Sequence, residues 1–176
     1  VENGNCHSII ELIEKEGSAQ YDLMILEASC LQAATNGFYK VTELLMNLMN
    51  SKRSSFTIPD SSSLINFGNV SILKLYLAKL SQHQHESILI FSIKRNYKNI
   101  VEFYYDTLKE IVSSSSLSLK VLRESIYCQT NEIFKYLFDQ IQIQNPSFFK
   151  DDNYLNQLLT ETCKFTNNIE VVKILT

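Results

Sequence analysis

Six stretches of this chain share one pattern at a spacing near 33 residues, and a repeat of that length constrains the fold more than any other feature. Each opens on a small or amide residue: Gly4, Gly37, Gly68, Asn96, Gln129 and Asn167. Apolar side chains then recur four, five, eight and nine residues later. The six units offer 24 such places, and all but Ser8, Thr42 and Thr176 are apolar, in a chain that is 45% hydrophobic. Apolar residues at i, i+1, i+4 and i+5 form one face of an α-helix. The position between the two apolar pairs holds Glu43, Lys74, Glu102, Lys135 and Lys173, which are expected to face solvent.

A second helical stretch precedes each opening residue, at 26–36, 61–67, 86–95, 120–128 and 155–165. Four residues before the opening position stand Ala33, Leu64, Ser92, Ser125 and Cys163, mostly small, as close helix crossings require. A unit is therefore a helix, a tight turn, a second helix and a connecting segment. One such pair cannot bury its own apolar face, so neighbours must stack. The pattern divides the chain 1–176 into one elongated domain with a partial unit 1–17 and units 18–50, 51–80, 81–108, 109–141 and 142–176. The ragged outer units suggest a piece of a longer array, or an array whose outer units are degenerate caps. Polar segments at 50–60, 81–85, 113–116 and 144–152 fall where the connections are required, so the His83-Gln84-His85 run is expected in a solvated loop.

Composition agrees with an all-α chain. Only four Gly and two Pro among 176 residues argue against an all-β fold with many tight turns. A net charge of −3 lacks the overall basic footprint of a nucleic-acid binder. The densest apolar run, 88–93, is short and broken by Ser92, so no membrane insertion is expected. Cys6, Cys30, Cys128 and Cys163 stand far apart and are expected to be reduced and buried, placing the protein inside a cell, in the cytoplasm. The triplet Asn69-Val70-Ser71 lies within an apolar helical pattern, which argues against glycosylation there.

A helix-turn-helix unit of this length and slot pattern resembles the ankyrin repeat. The likeness is strongest over 68–77 and 167–175, and Ala33-Ala34 matches the alanine pair of that family's first helix. The family's Thr-Pro-Leu-His signature is absent from every unit, with Ile58-Pro59-Asp60 its nearest trace, so the projecting fingers are expected to be short or irregular. A HEAT- or tetratricopeptide-like stack is the alternative architecture. The resemblance implies an ankyrin-like solenoid that binds another protein through its concave face and finger loops. Carried onto this chain, the partner-binding positions are Gln32, Asn36, Phe67, Phe91, Lys94, Arg95, Glu124 and Tyr127 on first helices, with Arg53, Phe56 and Phe148 at finger tips. Exposed aromatics and arginines dominate binding hot spots, although about half of these aromatics are expected to stack between repeats instead.

No phosphate-cradling glycine loop and no nucleophile elbow occur. His83 and His85 lack a third metal ligand, Cys6-His7 reads as helix packing, and Asp151-Asp152 reads as a helix cap. The expectation is a non-catalytic interaction scaffold with no cofactor, no metal and no small-molecule substrate. The alternative is the targeting module of a larger multidomain enzyme or effector, with its catalytic domain outside this chain and a host cell as its place of action.

Overall fold

The computed structural model describes residues 23–51, 58–65, 68–150, 152–165 and 168–176, and among them every regular element is helical. The chain divides into two compact units, Val1–Leu80 and Ser81–Thr176. In the first, α1 (Leu23–Thr35), α2 (Tyr39–Ser51), α3 (Ser61–Leu64) and α4 (Val70–Tyr76) are followed by a 3-10 turn, Leu77–Lys79. The second holds α5 (Gln82–Lys94), α6 (Lys98–Thr107), the one-turn α7 (Lys109–Val112), α8 (Ser115–Tyr127) and α9 (Asn131–Gln144). A 3-10 turn at Phe148–Lys150 then leads to α10 (Asp152–Phe165) and α11 (Ile169–Leu175).

Each opening residue among the described residues is the one that reverses the chain. Gly37, Gly68, Asn96 and Gln129 have φ of 77°, 66°, 57° and 55°, the left-handed region that ends a helix. In three of these turns the following amide reaches back to the carbonyl five residues earlier: Phe38 to Ala33 at 2.9 Å, Tyr97 to Ser92 at 2.8 Å and Thr130 to Ser125 at 3.0 Å. The left-handed residue itself donates to the carbonyl three residues back, as Gly37 does to Ala34 at 3.0 Å. The pair of bonds satisfies carbonyls that the helix end leaves open. Restarting the chain needs a cap, and Asn69 supplies one by accepting from the amides of Ser71 and Ile72. Its Nδ2 also donates to Gly37 O at 3.3 Å, so this amide is engaged within the fold.

Burial follows the repeat. Of the twenty apolar-slot positions from Gly37 onward, sixteen are buried; Leu77, Phe138 and Val172 are half-buried and Thr176 is exposed. The slots four and eight residues after the turn are buried in all five units, and full burial of such a side chain stabilises by about 1.5–3 kcal/mol. Thr42 occupies an apolar slot without cost to its hydroxyl, which donates to Phe38 O at 2.9 Å.

First helices pack on first helices and second on second. In the first unit α1 contacts α3 and α2 contacts α4. In the second, α8 lies against both α5 and α10, and α9 against both α6 and α11. Polar side chains tie neighbouring repeats at matching positions: Lys98 reaches Glu132 at 3.4 Å, and Asn131 donates to Glu170 at 3.0 Å. Gln144 donates to Tyr105 O at 3.2 Å, and Asn145 to Ser115 Oγ at 3.2 Å.

Several expectations need correction. The segment 81–85 is not a loop: Ser81 caps α5 and Gln84 closes a reciprocal capping box, so His83 and His85 are helical and His85 is buried. Ser114 likewise caps α8, which begins five residues earlier than its apolar pattern, because serine hydroxyls accept the first free amides. Phe148 is not an exposed finger tip. It is 2% exposed and stacks on Tyr154 at 4.7 Å, with Phe149 edge-on at 4.9 Å. In the last unit the small buried residue is Thr162, whose hydroxyl donates to Leu158 O at 2.8 Å as Ser92 does to Ile88 O at 2.7 Å. Cys163, one position later, is exposed, against the expectation of buried thiols. Cys6, His7, Arg53, Phe56, Phe67 and Asp151 lie outside the described residues.

Candidate functional site

Because first helices stack side by side, residues at similar positions on α5, α8 and α10 meet on one face of the second unit. Phe91 and Tyr127 are 39% and 40% exposed there, and Lys94 and Arg95 are exposed at the end of α5. Lys94 lies 3.4 Å from Glu124, which joins α5 to α8 and brings two of the anticipated binding residues together. Gln32 and Asn36 are exposed on and just after α1 in the first unit.

The α8–α10 side of this face holds residues that the repeat pattern did not single out. Arg123 meets Glu161 through two parallel contacts, Nε to Oε2 at 2.9 Å and Nη2 to Oε1 at 2.7 Å. A bidentate pair fixes orientation as well as charge. Tyr127 and then Glu161 hold the Arg123 guanidinium even more firmly protonated than usual. The Tyr127 ring meets Phe165 edge-on at 5.3 Å, and Phe165 is 62% exposed. Both contacts span 38 residues, the distance from Gln129 to Asn167, so adding the repeat offset to Arg123 and Tyr127 would have found their partners in the sequence.

Between α8 and α10 runs an open groove of about 490 Å³, walled by Arg123 and Tyr127 on one side and by Asn156, Gln157, Glu161 and Lys164 on the other. It presents cations, carboxamides and aromatic edges, and Glu124 and Glu161 are both ion-paired. Elsewhere in this unit His85 is enclosed, its Nδ1 3.0 Å from the Tyr104 hydroxyl. Burial lowers the His85 pKa and raises that of Tyr104, so both are neutral near pH 7. Cys128 is half-buried, and desolvation, with Glu124 nearby, raises its thiol pKa. A nucleophilic cysteine needs the opposite shift. Among the described residues no three His, Cys, Asp or Glu side chains converge as metal ligands, and no helix is long and apolar enough to cross a membrane.

No family model, curated protein or solved structure matches the chain.

Proposed function

We propose that this chain is a degenerate ankyrin repeat protein whose role is to hold another protein against its first-helix face, without catalysing a reaction. The left-handed turns at Gly37, Gly68, Asn96 and Gln129, the stacking of first on first and second on second helices, and the side-chain ties between matching positions support the repeat reading. The observation that carries the functional reading is the second unit's first-helix face. Phe91 and Tyr127 stay part-exposed there beside ion pairs that cross from one helix to the next. Exposed aromatics on a rigid support lose little conformational freedom when a partner covers them.

Site-specific photo-crosslinking tests this reading. A photoreactive phenylalanine analogue at Phe91 or Tyr127 should trap a discrete protein adduct in extracts of the producing cells. The same probe at Lys135, on the exposed side of α9, should not. Combining Lys94→Glu with Arg95→Glu should abolish the adduct while thermal melts move by no more than the equivalent of about 1 kcal/mol, the range of the part-exposed Lys94–Glu124 pair that is lost. Equal adducts at Lys135, or none at either aromatic position, would overturn the assignment.

A further inference from the structure

We infer that the groove between α8 and α10 takes an extended, acidic peptide segment of about five residues. The inference rests on the reading of this face as protein-binding and gives that partner its chemistry.

Charge comes first. The groove's glutamate is consumed inside the fold: Glu161 is held by both arms of Arg123, and on the adjoining strip of α8 Glu124 is held by Lys94. Two cations on these helices remain exposed, Lys164 in the groove wall and Lys120 on the strip of α8 that also carries Glu124 and Tyr127. Lys120, Glu124 and Tyr127 are spaced i, i+4 and i+7, so they share one side of the helix. The remaining carboxylate of the two helices, Asp152, stands at the first residue of α10, where the helix dipole offsets negative charge. A chain of net charge −3 thus presents spare positive charge along this groove.

Backbone chemistry comes second. Asn156 and Gln157 expose carboxamides along the α10 wall, each able to donate and to accept. A helical ligand has no backbone groups to offer them, because its amides and carbonyls bond internally. An extended segment offers both at every residue. From Asn153 to Lys164 the α10 wall runs about 17 Å at 1.5 Å per residue, the length of about five extended residues. At the far end the Tyr127–Phe165 edge contact gives an apolar side chain a place to rest.

Fluorescence polarisation on the full chain tests this with a labelled heptapeptide of six glutamates around a central tyrosine. Matching peptides with six glutamines or six lysines, and an oligo-uridylate, serve as competitors. The glutamate peptide should bind at least tenfold more tightly than the glutamine peptide, and raising the salt to 0.5 M should weaken it severalfold. Lys120→Glu with Lys164→Glu should weaken it at least tenfold with an unchanged melting curve. Lys135→Glu with Lys173→Glu, on second helices, should leave it unaltered. Equal affinity for the glutamine or lysine peptide, undiminished binding by the Lys120/Lys164 variant, or tighter binding of oligo-uridylate would each overturn the inference. Crosslinking at Phe91 or Tyr127 separates the two failures. If adducts form there while the acidic peptide does not bind, the charge assignment falls and the face stands; if neither occurs, both fall.

Discussion

The same slot, eight residues after the turn, holds a fully buried tyrosine in both compact units, and the two tyrosines keep different company. Tyr76 in the first unit places its hydroxyl 3.6 Å from the Cys30 thiol, and that thiol lies 3.9 Å from Thr42 O. Tyr104 in the second unit places its hydroxyl 3.0 Å from His85 Nδ1, with the rings edge-on at 5.8 Å. Cys30 comes from α1, the first helix of the preceding repeat, and His85 from α5, the first helix of the same repeat as Tyr104. A polar neighbour offsets the desolvation of a buried phenol, and a thiol serves at Tyr76 where an imidazole serves at Tyr104. The choice matters for charge: a thiol and a phenol stay neutral under acid, whereas an imidazole does not.

The turns differ in the same way. The first unit reverses at Gly37 and Gly68, which enter the left-handed region without a Cβ penalty. The second reverses at Asn96 and Gln129, and a side chain there costs about 1–2 kcal/mol, less for asparagine. Backbone bonds at both turns are equally short, so the second unit sustains that strain through the packing and side-chain ties around it.

The largest expected effect asks whether the two units depend equally on their slots. Ile133→Asp buries a carboxylate at a side chain with 0% exposure, and Ile72→Asp does so at 1%. Each should cost about 4 kcal/mol or more, the range of buried unpaired charge. Denaturant titrations should show loss of folded baseline for both. A cost under about 1 kcal/mol at Ile133 would break the equivalence of the slots and the stacking derived from them.

Next in size is an exchange of turn chemistry. Gly37→Ala forces a Cβ into φ 77° and should destabilise by about 1–2 kcal/mol. Gln129→Gly removes the same clash but adds freedom to the unfolded chain, leaving a gain of about 0.5 kcal/mol. Opposite signs in matched thermal melts would support a common turn geometry. The same sign for both would show that the two turns are not equivalent.

How much of this was legible in the sequence depends on the kind of contact. Slot burial and the place of each turn follow from periodicity, because apolar spacing encodes a helix face directly and a helix must end where the pattern restarts. Helix starts were less legible: Ser81 and Ser114 sit in polar runs resembling linkers, and their capping role depends on which amides are left free. Phe148 was misplaced because a polar neighbourhood suggested an exposed tip, while Phe149 and Tyr154 supply a local apolar pocket. On the candidate face, Phe91, Lys94, Arg95, Glu124 and Tyr127 could be named from helix position alone. Arg123, Glu161 and Phe165 emerge only when one repeat is laid on the next with its 38-residue offset.

The smallest expected effect, confined to mild acid, separates the two buried tyrosine pairs. Enclosure holds the His85 pKa below its ordinary 6.5, so the folded state keeps a neutral ring while the unfolded chain gains a proton. The stabilisation from this group is complete above pH 6.5 and is lost as pH falls through 6.5 toward the folded value. In the first unit burial raises the pKa of Cys30 above 9.0 and that of Tyr76 above 10.0. Their contribution is complete below those ordinary values and is lost only in alkali. Between pH 7.5 and 5.5, amide protection factors, corrected for the slower intrinsic exchange in acid, should therefore fall in α5 and α6 more than in α1 and α4. His85→Gln keeps a polar neighbour for Tyr104 and should flatten that difference, whereas His83→Gln, at an exposed position two residues earlier, should leave it as in the parent. An unchanged acid response in His85→Gln would mean that another group carries it, and the contrast between the thiol and imidazole partners would have no consequence for stability.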